Sequence, residues 1–169
     1  MALHHPIRFA EQMALIDHLS KGRLTVGLGR GTAYNIYDYQ GFGIDHTEAQ
    51  ARFEEAEAIM LKAWQGGPFA HKGKFFDIRL PELRPAPFTK PHPYVIRAAA
   101  TEHGMVEVAK MGRPFMMNVQ TNAETARRLD VYRAALRGTG LDEAATEQRV
   151  KESWVWRNVC VADTDAEAE

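Results

Sequence analysis

The sequence has little cysteine and no long apolar run. Its single cysteine, Cys160, excludes an internal disulfide and is typical of a protein from a reducing compartment. No apolar run approaches the roughly 18 residues that mark a membrane span. The start of the chain has neither the charged nor the apolar region of a signal peptide. We therefore predict a cytoplasmic protein that does not contact a membrane.

An excess of charge of one sign is also lacking. The formal net charge of -1 at pH 7 gives no basic stripe of the kind that binds nucleic acid. The seven histidines are scattered, without the spacing of paired metal ligands, so we expect no metal. A content of 45% hydrophobic and 25% charged residues is ordinary for a globular protein. We interpret residues 1–169 as one domain.

Predicted helices alternate with short apolar strands. Helices are predicted over 6–21, from the cap at Asp45 to Gly66, over 102–111, from the cap at Thr121 to Gly138, and from Thr164 onward. Strands are predicted over 24–28, 94–98, 115–119 and 154–161, with a small hairpin over 69–78. This alternation predicts an α/β fold with right-handed crossovers and a parallel sheet.

The segment 29–45 is rich in glycine and tyrosine and is predicted to be a long loop. Two interpretations of Tyr34, Tyr37 and Tyr39 stay open: they line a substrate loop, or they pack against their own loop. Phe53 falls on the apolar stripe of the next helix and is predicted to be core. Cys160 is predicted to be buried inside the last strand.

Three segments in this order resemble the bacterial luciferase-like, flavin-dependent monooxygenase family. The first segment covers residues 5–31. The second consists of Gly41–Asp45 together with Arg52–Glu55. The third covers residues 69–93 and has a glycine at 73 and a proline-rich end. The resemblance covers about residues 4 to 112. It implies a (β/α)8 TIM barrel, of which this chain would form about strands 4 to 7, with the hairpin as an insertion.

The resemblance also implies the chemistry. Members of the family use reduced flavin, here FMN, and O2 to oxidise a small organic substrate. A deazaflavin-using relative is an alternative. Reduced FMN would come from a separate flavin reductase, and the full-length family forms homo- or heterodimers. No catalytic residue is assigned, because the family's catalytic histidine belongs to strands that precede those present here.

Arg30 and Arg52 are the candidate cations for the flavin phosphate. Arg30 lies just beyond its strand, at the end where barrel enzymes place their chemistry, and resembles a phosphate-holding arginine of the family. Arg52 resembles a second one. The alternative is a solvated arginine at position 30 and, at position 52, a surface ion pair with Glu48 one helical turn earlier.

Ala99, Ala100 and Thr101 are the remaining candidates for cofactor binding. Small residues let a ligand approach the backbone, and the helix that follows offers free N–H groups to a phosphate. Thr101 matches a serine or threonine position that contacts phosphate in the family, although the same hydroxyl also serves as a helix N-cap. We expect the strand ends near Arg30 and Thr101 to point toward one common mouth.

Three rival interpretations remain. The run Gly27, Gly29, Gly31 is similar to a Rossmann dinucleotide fingerprint, but its third glycine comes one position early and no helix follows directly. The second interpretation is that the chain is a non-catalytic partner subunit, and the third is that it is a truncated fragment without activity. We expect the isolated chain to bind FMN weakly or not at all, and not to turn over.

Overall fold

The computed structural model describes residues 1–31 and 36–168. It divides into two compact units, Met1–Val95 and Ile96–Glu169, and each is described by itself. The interpretation of residues 1–169 as a single domain stays a prediction. No helix in the described ranges combines the length and apolar character needed to cross a membrane.

The first unit packs two long helices around a short strand and carries a hairpin. Its elements are α1 (Pro6–Ser20), β1 (Thr25–Leu28), α2 (Ile36–Gly41), a 3-10 turn (His46–Glu48), α3 (Ala49–Trp64), β2 (Phe69–Lys72) and β3 (Asp77–Leu80). The β2 and β3 strands pair antiparallel, as the sequence predicted. Pro6 starts α1, where its missing N–H costs nothing.

The apolar stripe of α3 is buried as predicted. Its members, spaced three or four residues apart, are Ala49, Phe53, Ala56, Met60 and Ala63. Phe53 is 2% exposed, which confirms it as core. Trp64, at the end of α3, donates from its indole Nε1 to the carbonyl of Ala10 at 3.1 Å and so ties α3 to α1.

The structure corrects two predictions for the first unit. The segment 29–45 is not a continuous loop, because α2 lies inside it. Asp45 is an N-cap as predicted, since its carboxylate accepts from the N–H of Thr47 at 2.9 Å, but the turn that it caps is 3-10 and α3 begins only at Ala49. Tyr34 lies outside the described residues.

The second unit is a parallel sheet with helices on one face. Its elements are β4 (Tyr94–Ala99, which begins with the last two residues of the first unit), α4 (Glu102–Lys110), β5 (Phe115–Met117), α5 (Asn122–Arg137), α6 (Glu143–Glu152), β6 (Trp154–Val155) and α7 (Asp165–Ala168). The order is β4-β5-β6, and both pairings are parallel. The predicted α/β class with a parallel sheet is therefore confirmed, while the partial barrel stays a prediction.

The core of the second unit lies between its strands and α4 and α5. Phe115 and Met117 of β5 are fully buried together with Met105 of α4 and Tyr132 of α5. The rings of Phe115 and Tyr132 are 4.6 Å apart. Tyr132 also donates its hydroxyl to the carbonyl of Arg113 at 2.6 Å, and burial raises its pKa to about 12.

The sequence analysis did not predict one helix of the second unit, and it predicted two strands that are longer than those in the structure. Helix α6 was not predicted, β5 ends at Met117 rather than residue 119, and β6 covers two residues rather than 154–161. Cys160 consequently lies outside any strand and is exposed, so the prediction that it fills the core is wrong.

Candidate functional site

Arg30 follows β1 and is exposed, as the sequence predicted. Its Nη1 donates to the side-chain oxygen of Gln50 on α3 at 3.3 Å, a long and therefore weak hydrogen bond. The backbone is held more firmly, because Tyr39 donates its hydroxyl to the carbonyl of Arg30 at 2.6 Å. The guanidinium thus rests at the protein surface on a fixed backbone.

Tyr39 is buried and Tyr37 is 80% exposed. Burial raises the pKa of the Tyr39 hydroxyl and outweighs the opposing effect of the nearby Arg30 charge. Its hydroxyl is committed to the loop backbone. Of the two interpretations, packing against its own loop holds for Tyr39.

Arg52 lies against the hairpin. Its guanidinium stands over the rings of Phe75 and Phe76, 5.1 and 5.3 Å from their centroids. Its Nε is buried and has no hydrogen-bond partner within the part of the chain that the structure describes. Glu48 forms an ion pair with Lys74 of the hairpin at 2.8 Å. The alternative ion pair between Glu48 and Arg52 is therefore not the one that the structure shows.

The two candidate arginines approach α3 from different sides. Arg30 meets the helix at Gln50, whereas Arg52 is itself a helix residue two positions later. Positions two apart differ by roughly 200° around an α-helix, since each residue turns it by about 100°. Arg30 and Arg52 therefore have different surroundings.

Glu55, which sequence reasoning missed, fastens the hairpin turn next to Arg52. Its carboxylate is 13% exposed and accepts from His71 Nε2 at 3.0 Å. The backbone N–H groups of Lys74, Phe75 and Phe76 donate to the same carboxylate at 3.0 to 3.3 Å. Burial raises the pKa of Glu55, but the hydrogen bonds from His71 and from the backbone lower it by more, so the net pKa is lowered.

Gly73 leaves room for that carboxylate. A Cβ at position 73 would overlap the side-chain oxygen of Glu55 and the ring nitrogen of His71. The glycine that the sequence singled out in the hairpin is thus explained by a close approach to a side chain.

The Ala99–Thr101 segment leads from β4 into α4. Ala99 is buried, whereas Ala100 and Thr101 are exposed. The hydroxyl of Thr101 accepts from the N–H of Gly104 at 3.1 Å, which confirms it as the N-cap of α4. Its hydroxyl hydrogen is free to be donated to a ligand, because a hydroxyl both donates and accepts.

Two arginines of α5 stand beside the start of α4. Arg128 donates to the carbonyl of Ala100 at 3.2 Å, and Arg127 pairs with Glu102 at 2.7 Å. Both also bind Glu124, and these hydrogen bonds lower the pKa of Glu124 to about 2. The sequence signal was an Arg–Arg pair in the second turn of a capped helix, which by itself does not indicate what it faces.

The family model for luciferase-like monooxygenases matches residues 1–169, which is the whole chain. The chain belongs to this family. The resemblance seen in the sequence motifs is confirmed, and it extends beyond the residues that first carried it.

Relatives and solved structures agree with the assignment. The oxygenase component of the flavin-dependent trigonelline monooxygenase of Acinetobacter baylyi is 32% identical over 95 residues, 56% of this chain and 26% of that protein. The monooxygenase RslO1 of Streptomyces bottropensis superposes with a TM-score of 0.82 at 25% identity, covering 99% of this chain and 50% of RslO1. The oxygenating constituent of 3,6-diketocamphane monooxygenase of Pseudomonas putida, solved with FMN, gives a TM-score of 0.78 at 23% identity, with 98% and 48% covered.

The chain spans about half the length of these two solved monooxygenases. Within it, Arg30 and Arg52 belong to the first unit and Ala99, Ala100 and Thr101 to the second. Their convergence on a common mouth stays a prediction. Within residues 1–31 and 36–168, no group of three histidine, cysteine or acidic side chains is placed to hold a metal ion.

Proposed function

We propose that this chain is part of a flavin-dependent monooxygenase that uses reduced FMN and O2 to oxidise a small organic molecule. The observation that carries the proposal is the family match over the whole chain. We further propose that its strands are about strands 4 to 7 of a (β/α)8 barrel. The parallel order β4-β5-β6 is compatible with that architecture.

The start of α4 suits the phosphate of the cofactor. The first-turn N–H groups of α4 have no partner inside the helix, and the helix dipole adds partial positive charge there. Thr101 supplies a hydroxyl, and the small, exposed Ala100 keeps the approach open, whereas the side chain of Ala99 is buried in the core and would leave only its backbone to a ligand. Arg128 brings a guanidinium to the carbonyl of Ala100. The carboxylate of Glu102 opposes an anion, but its pairing with Arg127 reduces that effect.

Arg30 and Arg52 are the further cations in this proposal. Arg30 holds Gln50 by a weak, exposed hydrogen bond that a phosphate would replace with a stronger, charge-assisted one. Arg52 has a buried Nε without a partner in the described residues, although its ring contacts hold it against the hairpin. A charge-assisted hydrogen bond from either guanidinium to a phosphate would contribute roughly 1.5–3 kcal/mol, so we expect FMN to bind no more tightly than about millimolar.

The cofactor supplies the oxygen chemistry when it is bound, and the protein contributes binding, orientation and exclusion of water. We assign no catalytic residue to this chain. A separate flavin reductase as the source of reduced FMN is part of the proposal, since the trigonelline relative is itself an oxygenase component.

The phosphate site is tested by titrating the chain with FMN and with riboflavin, which lacks the phosphate. We expect FMN to bind at about millimolar concentration and riboflavin about tenfold more weakly. Arg30→Ala and Thr101→Val should weaken FMN binding and leave riboflavin unchanged, whereas Thr101→Ser should retain it. Equal affinities for FMN and riboflavin would contradict the proposal.

Thr121→Val is the matched control for the loss of a helix cap. Thr121 caps α5 as Thr101 caps α4, through its hydroxyl and the N–H of Glu124 at 3.2 Å. The Thr121→Val variant should lower the free energy of unfolding about as much as Thr101→Val does, but it should leave FMN binding unchanged. A parallel titration with a deazaflavin cofactor decides between the two cofactor types: tighter binding than FMN would favour the deazaflavin alternative.

A further inference from the structure

One face of the sheet in the second unit is apolar yet exposed toward the carboxyl ends of its strands, although Ile96, earlier in β4 on the same face, is buried. The register pairs Ala98 with Met116, and Met116 with Trp154, in one row across β4, β5 and β6. Side chains alternate between the faces of a strand, so this row lies opposite Ala99 and Met117, which are buried toward α4 and α5. Ala98 is exposed, Met116 is half-buried and Trp154 is 53% exposed.

The row continues past the end of β6. The N–H of Trp156 donates to the carbonyl of Met117 at 3.0 Å, which prolongs the parallel pairing. Trp156 stands two residues after Trp154, therefore on the same face, and is 62% exposed. We call Ala98, Met116, Trp154 and Trp156 the tryptophan wall. It carries no charged side chain, and its two indoles are both exposed, so it is an apolar surface open to a ligand.

We infer that the tryptophan wall binds the organic substrate and selects a neutral, apolar ring compound. The inference rests on the proposed function. In a (β/α)8 barrel the helices form the outer ring, so the sheet face turned away from them lines the interior. Active sites lie at the carboxyl ends of the strands. β4 runs from Ala98 directly into Ala99–Thr101, so the wall adjoins the proposed phosphate site.

The chemistry of the wall decides the substrate class. Indole rings stack on flat or alicyclic rings in offset geometry, and the methionine thioether makes favourable contacts with ring edges. Ala98 leaves space opposite the larger side chains. A carboxylate or ammonium group bound there would lose its hydration without meeting an opposite charge on the wall, and that loss is costly. A neutral substrate avoids it.

The test uses two probes that share one ring and differ in charge, 2-acetylnaphthalene and 2-naphthoate. Binding to the whole chain is measured by equilibrium dialysis, and quenching of tryptophan fluorescence shows where the probe lies. We expect the neutral ketone to bind about tenfold more tightly or better. Trp154→Phe combined with Trp156→Phe should remove most of the quenching, because Trp64, the third tryptophan of the sequence, is 2% exposed and shielded.

Met116→Lys is the decisive variant. A lysine in the middle of the wall should weaken the ketone by about tenfold and strengthen naphthoate, which reverses the preference. Leu19→Lys, at an apolar position of α1 that is 75% exposed, is the control and should change neither. An equal response to the two lysine variants, or equal binding of both probes to the parent chain, would overturn the inference.

FMN titrated in the same experiments separates the two proposals. If FMN binds through its phosphate and the probes show no preference, the substrate inference is wrong and the proposed function stands. If FMN binds no better than riboflavin while the ketone shows a preference that depends on Met116, the proposed phosphate site is wrong, and the wall is supported as an apolar site only. If neither result appears, both are overturned.

Discussion

In the first unit, nearly buried carboxylates accept hydrogen bonds from loops far away in sequence, whereas in the second unit arginines pair with glutamates on neighbouring helix surfaces. Asp17 of α1 is fully buried and accepts from the N–H and the hydroxyl of Thr89 at 2.7 and 3.0 Å. Glu55 of α3 holds the hairpin turn in the same manner. By contrast, Arg137 and Glu143 of the second unit are 49% and 64% exposed.

The two kinds of interaction differ in how much stability is lost when one partner is removed. A buried donor left without its acceptor loses its hydrogen bond and finds no water to replace it, at a cost of about 1–3 kcal/mol per group. An exposed ion pair that is broken is simply solvated, and salt already screens it. We therefore expect the long-range order of the first unit to depend on a few acidic residues, and that of the second unit to depend on its apolar core.

The largest effect is expected for Asp17→Ala. It leaves the N–H of Thr89 without an acceptor next to α1 and should lower the free energy of unfolding by about 2–4 kcal/mol. Asp17→Asn should cost much less, because the amide oxygen still accepts from the N–H and the amide nitrogen can donate to the Thr89 hydroxyl. Urea unfolding measures both.

The control for Asp17→Ala is Glu11→Ala, a partly exposed acidic residue on the same helix. If Asp17→Ala and Glu11→Ala lower stability equally, the buried carboxylate has no special role and the contrast between the units fails.

An intermediate effect is expected for Glu55→Gln. The amide nitrogen cannot accept from Lys74, so the variant should lose about 1–2 kcal/mol of stability. The pKa of Glu55 is lowered in the folded chain. Its contribution is therefore fully present above the ordinary glutamate pKa and is lost as the pH falls through the lower, folded value.

The variant should accordingly differ most from the parent chain near neutral pH and converge with it in acid. Urea midpoints between neutral pH and the acid limb measure this, with the exposed neighbour Glu54→Gln as control. A constant difference over that whole range would show that Glu55 does not supply its stability as a carboxylate.

The elements that the sequence predicted well are those with a local signal. The stripe of α3 and the caps at Thr101 and Thr121 depend on residues three or four apart, and all were confirmed. Helix α6 was missed because Thr146 is its only fully buried residue, so it has almost no apolar stripe to detect. Strand β6 was predicted too long because apolar residues after 155 do not reveal whether a neighbouring strand pairs with them.

The residues of the candidate site show the same difference between local and long-range signals. Arg30 and Thr101 were found because each follows a strand, and the structure places both at exposed positions after one. Glu55 and Arg128 were missed because their partners are 20 and 28 residues away in sequence. Because such contacts exist only once the chain is folded, no local sequence pattern predicts them.

The smallest effect is expected for Arg137→Gln, and it sharpens the contrast most directly. Arg137 binds Glu143 through two nitrogens, at 2.7 and 2.8 Å, which is good geometry for an ion pair. Both side chains nevertheless face solvent, so the urea midpoint should change little at low salt and not at all at high salt. A loss comparable to that of Glu55→Gln would mean that bidentate geometry outweighs exposure here. Surface arginine pairs of the second unit would then rank with the buried carboxylates of the first as determinants of stability.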